Sequence, residues 1–354
     1  MRKILLKNAQ NGMRLAKSIY TEDGFILLAA GVELKQTYIN RLEACNILEI
    51  YVEDEFSKDI VIEDVINDET RRQAKILIKN IMEQCKKTSQ FDYGQVNSMV
   101  NQIIDDLLEN KDILVNLSDI RTVDNYTFAH SVNVCVLSLI TGMKLGLNQL
   151  KLRDLGIGAL LHDIGKILIP EEILKKPSQL TDDEFEEIKK HTILGYEMLK
   201  NTPNISASSA YIALGHHERY DGTGYPLQKK GENIHLFARI VAIADVYDAL
   251  TSDRVYRKKL KIHEVIEYIV TLGRQQFDTT VMQCFIKNIA IYPVGTGVVL
   301  STGEKGIIVD VNRDLPTRPV VRIIYNDDGT KNNIFKEIDL TKKLNIMIVD
   351  TIEI

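Results

Sequence analysis

The chain of 354 residues carries a formal net charge of −5 and has a sequence pI of about 5.9. A protein whose main task is holding duplex nucleic acid usually presents a broad basic face, so this balance argues against that class. It leaves room for a small anionic ligand held by a few local cations. Hydrophobic residues at 45% and charged residues at 26% are ordinary for a globular protein, and the length favours two or three compact units.

The start of the chain and its cysteines bear on where the protein works. The first residues, MRKILLKNAQNGMR, contain an apolar stretch of only three residues, which is too short for a signal-peptide core. No window approaches the roughly 18 apolar residues of a membrane span. The four cysteines form no CxxC pair and indicate neither a zinc knuckle nor a redox motif. We therefore expect a cytoplasmic protein without membrane insertion.

Two predicted domains come first in the chain. Residues 1–58 are typical of a small β-rich domain, with short apolar runs at 4–6, 25–28 and 49–52 and a helical pattern at 36–44. The next segment, 59–115, has apolar residues at three-to-four spacing, which predicts a helical linker or hairpin. It either packs on its neighbours or pairs with a second copy, so the sequence leaves a homodimer open.

A longer helical segment and a β-rich tail follow. Residues 116–290 are predicted to be helical and to carry the chemistry, because they contain the histidines. Residues 291–354 alternate apolar runs with glycine-rich turns, which predicts a small β-barrel-like domain. The predicted fold is therefore mainly α, with a helical catalytic domain between a β-rich N-terminal unit and a C-terminal barrel.

Five histidines come with acidic companions and glycine-rich turns, and this pattern predicts a metal site. They are His130, His162, His191, His216 and His217. A lone histidine on an apolar face is more often a core residue, and His235 and His263 are interpreted in that way.

The adjacent pair His162-Asp163 ends the apolar run LGIGALLHDIGK, where Gly156 and Gly158 permit close helix packing. Imidazole and carboxylate ligands suit a divalent ion such as iron or manganese, and the two oxygens of Asp163 can bridge two ions. Two metals about 3.5–4 Å apart activate water and stabilise charge on a phosphate, so phosphodiester hydrolysis is the natural reaction class. Lys166, one turn later, adds a cation near the nucleophile.

Several motifs between about residues 100 and 290 resemble the HD-GYP domain family, a branch of the HD phosphohydrolases. They are YTFAHSVNV, HDIGK, KHT, HHERYDGTGYP and ADVYDALTSDRVYR, in the family's order and at its separations. All eight fixed positions of the motif HHExxDGxGYP match, which makes this resemblance specific.

The resemblance implies a role for each matching residue. The implied metal ligands form two groups and a bridge: His130, His162 and Asp245; His191, His216 and His217; and Asp163 between them. The implied phosphate contacts are Lys166, Arg254 and Arg257. The implied lining of the nucleotide pocket is Tyr225, Pro226 and Asp248. Of these residues, Asp163 and Lys166 are the expected catalytic pair.

The sequence departs from the family pattern at two positions, and these departures limit which ligand roles the resemblance implies. Some members bind a third metal with a glutamate four residues before the first histidine, where this chain has Tyr126. We therefore expect two divalent transition-metal ions, iron or manganese. His235 occupies a position where many relatives have proline, and we interpret it as a loop variant outside the ligand set.

The expected function is hydrolysis of cyclic di-GMP to pGpG, and onward to GMP, with a metal-bridging hydroxide as nucleophile. One alternative keeps this chemistry and changes the substrate to another cyclic dinucleotide, such as cyclic GMP-AMP. Another is a cyclic-dinucleotide receptor that binds without turnover. The complete ligand set argues against the receptor, because inactive relatives usually lack one or more ligands.

Overall fold

The computed structural model describes residues 1–21, 23–88, 90–110, 114–115, 126–252, 259–271 and 273–352. These residues form a mainly helical body with small sheets near the N-terminus and a larger sheet near the C-terminus. The mainly α prediction is thus confirmed. Among the helices in these ranges, none is long and apolar enough to cross a membrane.

The N-terminal part contains five short strands and one helix. They are β1 (Arg2–Leu5), β2 (Arg14–Leu15), β3 (Ile19–Tyr20), β4 (Ile26–Leu28), α1 (Gln36–Ala44) and β5 (Glu49–Glu53). The strands β1, β5 and β2 form an antiparallel sheet in that order, and β3 pairs with β4. A cluster of apolar side chains, including Leu15, Leu42 and Ile50, is buried between them.

The helical body follows. Its helices are α2 (Asp68–Thr88), α3 (Tyr93–Glu109), α4 (Tyr126–Lys144), α5 (Gln149–Leu160), α6 (Glu171–Leu174), α7 (Asp182–Lys200), α8 (Ala207–Gly215), α9 (Leu236–Thr251), α10 (Ile262–Thr271), α11 (Gly273–Gln276) and α12 (Thr279–Ile286). One apolar core runs through it and includes Ile78 of α2, Ile103 of α3, Leu137 of α4 and Phe285 of α12. The predicted boundaries between 59–115 and 116–290 stay a prediction.

Local sequence signals set the beginnings of the helices that carry the site. Thr181 caps α7, where its hydroxyl accepts from the Glu184 backbone N–H and the Glu184 carboxylate accepts from the Thr181 N–H. The Asn148 side chain caps α5, and the Ser206 hydroxyl caps α8 in the same way. These caps fix where α5, α7 and α8 begin.

Gly158 lets α5 and α8 approach closely, as the sequence predicted. A Cβ added at Gly158 would lie 2.6 Å from the carbonyl oxygen of Ser209 in α8. Any larger residue would separate the two helices, and α5 and α8 each end at predicted metal ligands. The small residue is therefore part of what brings the ligands together.

The C-terminal part is an antiparallel sheet of five strands. They are β6 (Gly297–Leu300), β7 (Lys305–Asp310), β8 (Val320–Tyr325), β9 (Lys331–Asp339) and β10 (Ile348–Ile352), in the spatial order β10-β6-β7-β8-β9. The β-rich prediction is confirmed. Within the described strands the two edges, β9 and β10, do not pair with each other, so the sheet is not seen to close into the predicted barrel.

Candidate metal centre

The seven predicted metal ligands meet in one buried place, although they come from five parts of the helical body. They are His130 from α4, His162 and Asp163 at the end of α5, His191 from α7, His216 and His217 after α8, and Asp245 from α9. Their ligand atoms form two groups, each with all its atoms within 4.8 Å of one another. One group is His130, His162 and Asp245, and the other is Asp163, His191, His216 and His217.

The carboxylate of Asp163 lies between the two groups. Its Oδ2 is 3.4 Å from His162 Nε2 and 3.8 Å from His130 Nε2. Its Oδ1 is 3.4 Å from His191 Nε2 and 3.7 Å from His216 Nε2. Because each oxygen faces a different group, the side chain has the geometry of a carboxylate that bridges two cations.

Backbone carbonyl groups orient three of the imidazoles. The Nδ1 of His162 lies 2.7 Å from the Ala159 oxygen, and the Nδ1 of His191 lies 2.6 Å from the Ile188 oxygen. In His216 the Nδ1 bonds to carbonyl oxygens of α8 at 3.0 Å. A carbonyl oxygen can only accept, so each Nδ1 carries the proton and each Nε2 presents its lone pair to the centre.

A hydrogen bond to Asp248 orients the ring of His130. The carboxylate of Asp248 is fully buried, and it accepts from His130 Nδ1 at 2.8 Å and from Asn133 Nδ2 at 2.8 Å. Arg71 of α2 donates in turn to Asn133 and forms a buried ion pair with Asp64. This position fits a residue that orients a metal ligand. The predicted contact of Asp248 with the nucleotide stays a prediction.

The protonation states suit cation binding. Burial lowers the pKa of His162 and His217, and burial together with the charge of Lys166 lowers the pKa of His191 to about 3. These imidazoles are neutral at pH 7 and can donate a lone pair. The pKa of Asp163 lies well below its usual value, because Lys166 and the histidines outweigh the effect of burial.

His130 differs from the other imidazoles. Burial acts to lower its pKa, but hydrogen bonds to Asp245 and Asp248 outweigh that effect and raise the pKa to about 9. In the metal-free protein this ring therefore carries a second proton at neutral pH. A cation held by His130, His162 and Asp245 must displace that proton from His130 Nε2.

Two buried atoms indicate that the residues fit cations. Within the described part of the chain, His162 Nε2 and Asp163 Oδ1 are buried and have no hydrogen-bond partner. A buried polar atom left unpaired costs free energy. A cation in the first group would coordinate His162 Nε2, and a cation in the second group would coordinate Asp163 Oδ1. The nitrogen and oxygen donors match the preferences of iron and manganese.

Three of the remaining predicted site residues, Lys166, Tyr225 and Pro226, lie next to this centre or beside a residue that contacts it. Lys166 forms an ion pair with Asp163 Oδ2. Tyr225 stacks on the ring of His217 with the centroids 4.8 Å apart, and Pro226 follows it, partly exposed. Arg254 and Arg257 lie outside the described residues.

Glu218 supports the loop beside the centre, a role to which the sequence prediction gave no attention. Its buried carboxylate accepts from the backbone N–H groups of Leu227 at 2.6 Å and Lys229 at 3.0 Å. These bonds hold the loop that carries Tyr225. Its place directly after the two histidines in the motif was a signal for such a role, whereas Arg71 lies in a helix without any motif.

His235 lies outside both ligand groups, as predicted, but its interpretation as a core residue is wrong because it is exposed. Its Nδ1 accepts a hydrogen bond from the Phe237 backbone N–H at 3.2 Å and thereby caps α9. The histidine thus has a structural role at the start of the helix that carries Asp245.

A family model described as "HD domain" matches residues 103–281, which is about half of the chain. The chain therefore belongs to the HD domain family. A second model, described as "KOW domain associated with HD domain", matches residues 297–354. Together the two matches cover the helical body from the end of α3 to the start of α12, and the C-terminal sheet of this HD domain protein.

Curated relatives support the resemblance to the HD-GYP branch. The chain is 36% identical over 254 residues to "Cyclic di-GMP phosphodiesterase PA4108" of Pseudomonas aeruginosa, covering 72% of this chain and 61% of the relative. It is 43% identical over 145 residues to "Cyclic di-GMP phosphodiesterase response regulator RpfG" of Xanthomonas campestris, covering 41% and 38%. It is 35% identical over 188 residues to "3'3'-cGAMP-specific phosphodiesterase 1" of Vibrio cholerae, covering 52% and 42%. The chain thus spans less than two thirds of each of these relatives.

The raised pKa of His130 predicts that metal binding depends on pH. Because the ion must displace a proton whose pKa is about 9, the apparent affinity for Mn²⁺ should rise by about tenfold per pH unit from pH 7 to 9. Titration calorimetry in several buffers measures both the affinity and the released proton. Asp248→Asn removes one of the charges that raise this pKa and should flatten the dependence. If the Mn²⁺ affinity of this variant depends on pH as steeply as that of the wild type, the His130 proton is not the cause of the dependence.

Gly165 predicts a second effect on metal affinity. A Cβ added there would clash with the His191 carbonyl oxygen and lie 2.5 Å from the Gly195 backbone nitrogen, so the segment carrying Asp163 would move away from α7. Gly165→Ala should weaken Mn²⁺ binding by about 10–100-fold. Gly94→Ala is the control, because an added Cβ there meets only the Asp92 side chain. Equal Mn²⁺ affinity in the two folded variants would refute this explanation.

Proposed function

We propose that the chain is a metal-dependent phosphodiesterase that hydrolyses cyclic di-GMP to pGpG and onward to GMP. The observation that carries the proposal is the position of Asp163, whose two oxygens face two separate groups of ligands. The proposed cofactors are two divalent transition-metal ions, iron or manganese. When bound, such a pair of ions lowers the pKa of a shared water and offsets the charge that develops on the phosphate.

The chain's own residues would orient the substrate. Lys166 reaches Asp163 and is partly exposed, so its ammonium group can contact a phosphate oxygen of the scissile bond. Tyr225 offers a ring face beside His217 for a base. Arg254 and Arg257 remain proposed phosphate contacts, and Pro226 a proposed part of the pocket wall.

The names of the relatives guide the choice of substrate. Two of those described above are named as cyclic di-GMP phosphodiesterases, which favours cyclic di-GMP. Another is named as specific for 3'3'-cGAMP, and this favours cyclic GMP-AMP as the second candidate. A receptor that binds without turnover is the least favoured function, since it would not require a complete set of ligands.

The domain organisation is proposed as the sequence predicted it. We propose domains at 1–58, 59–115, 116–290 and 291–354, the last as a barrel-like unit. A homodimer and the absence of duplex nucleic acid as a partner likewise stay predictions. The apolar faces of α2 and α3 are buried in the core of one chain, so those faces no longer supply the argument for a dimer.

A turnover assay with purified protein loaded with Mn²⁺ or Fe²⁺ under reducing conditions tests the proposed function. The wild-type protein should convert cyclic di-GMP to pGpG and then GMP, and Asp163→Asn should lower the rate by roughly 10³-fold or more with a lower metal content. His235→Asn is the matched control. It replaces a histidine outside the ligand groups by another good helix cap, so its rate and metal content should equal those of the wild type.

Two results would contradict the proposal. No product from a sample that holds two ions per chain would exclude cyclic di-GMP hydrolysis. If cyclic GMP-AMP is hydrolysed faster in direct competition, cyclic GMP-AMP and not cyclic di-GMP is the substrate. The receptor alternative predicts that Asp163→Asn leaves the cellular effect of the protein unchanged.

A further inference from the structure

A row of aromatic rings leads from the metal centre to the protein surface. The ring of His217 stacks on Tyr225 with the centroids 4.8 Å apart and the planes at 30°. Tyr225 meets Phe185 of α7 edge to face at 6.3 Å. Phe185 is 44% exposed. Phe185 is therefore the exposed end of a row of three rings that begins at His217, a predicted metal ligand.

A charged pair lies over this aromatic row. The Lys189 Nζ is 4.8 Å from the centroid of Phe185 and 5.4 Å from that of Tyr225. Glu186, one turn earlier on α7, forms an ion pair with Lys189. The Glu186 side chain is 65% exposed and that of Lys189 is 26% exposed. The Glu186 carboxylate is therefore open to solvent, and the Lys189 ammonium group is partly open to it.

Helix α7 holds these groups at a fixed position relative to the metal centre. His191 lies on the same helix, two residues after Lys189, and its Nε2 is 3.4 Å from Asp163. A ligand whose phosphate sits at the metal centre would thus bring a neighbouring base towards Phe185. An exposed ion pair contributes little stability, so a base can replace part of it at small cost.

The chemistry of the pair matches one base better than the others. Guanine presents acceptors at O6 and N7, which pair with a cation, and donors at N1 and N2, which pair with a carboxylate. Adenine has a donor at position 6 and no donor at N1, so it would face the ammonium group with the wrong polarity. Stacking on an aromatic ring adds binding for either base without selecting between them.

We propose that Phe185, Glu186 and Lys189 form the subsite that recognises a guanine base of the substrate. Phe185 provides the stacking surface, Lys189 donates to O6 or N7, and Glu186 accepts from N1–H and N2–H. This inference rests on the proposed function and adds residues that lie outside the matched motifs. It predicts that cyclic di-GMP and cyclic GMP-AMP both enter the subsite through guanine and that cyclic di-AMP is disfavoured.

The test compares kcat/KM for cyclic di-GMP and cyclic di-AMP in the Mn²⁺-loaded protein. Glu186→Gln should lower kcat/KM for cyclic di-GMP about tenfold, mainly through KM, and should reduce the preference over cyclic di-AMP by a similar factor. Lys189→Met should act in the same direction. Phe185→Ala should raise KM for both nucleotides, and Phe185→Trp should restore it. Where turnover of cyclic di-AMP is too slow, its inhibition constant replaces kcat/KM.

Two controls separate this inference from the proposed function. Glu187→Gln breaks an equivalent ion pair, with Lys190, on the same helix and should leave the preference unchanged. Bis(4-nitrophenyl) phosphate has no base to recognise, so Glu186→Gln should hydrolyse it at the wild-type rate. If wild-type protein hydrolyses cyclic di-GMP and Glu186→Gln keeps the same preference, the base subsite is refuted. If wild-type protein loaded with Mn²⁺ does not hydrolyse cyclic di-GMP, the proposed function fails first.

Discussion

The carboxylate of Asp163 is buried among imidazoles inside a helical core, and the rest of the site depends on that placement. Burying a carboxylate is costly unless cations or hydrogen-bond donors compensate for the lost hydration. Lys166 contacts one oxygen, while the other has no hydrogen-bond partner within the described residues. Cations held by the two groups of ligands would compensate for this cost. Such a carboxylate explains why so many neutral imidazoles converge at one point.

The surrounding structure serves to hold those ligands in position. Backbone carbonyl groups orient three of the rings, and a hydrogen bond to Asp248 orients His130. Gly158 and Gly165 allow close approach between the segments that carry the ligands. Side-chain caps fix where α5, α7, α8 and α9 begin. The ligands are thereby held before any cation binds, which favours tight binding because little order has to be gained.

The sequence predicted which histidines and aspartates lie close together, because motif spacing carries that information directly. The seven residues from His130 to Asp245 meet as expected, and His235 lies apart as expected. The sequence did not reveal that Asp248 forms a hydrogen bond with His130, because that bond joins α9 to α4 and depends on how the helices pack. Glu218 and Arg71 were missed for a similar reason: each acts through partners that only the fold brings near. The predicted barrel required pairing between distant edge strands, and the apolar pattern of single strands cannot decide that.

Crystals of the protein soaked or grown with Mn²⁺ would test the role of Asp163 most directly, through anomalous diffraction at the manganese edge. The account predicts two peaks about 3.5–4 Å apart, one on each side of the Asp163 carboxylate. One peak should contact His130, His162 and Asp245, and the other His191, His216 and His217. A single peak, or peaks outside these two groups, would contradict it.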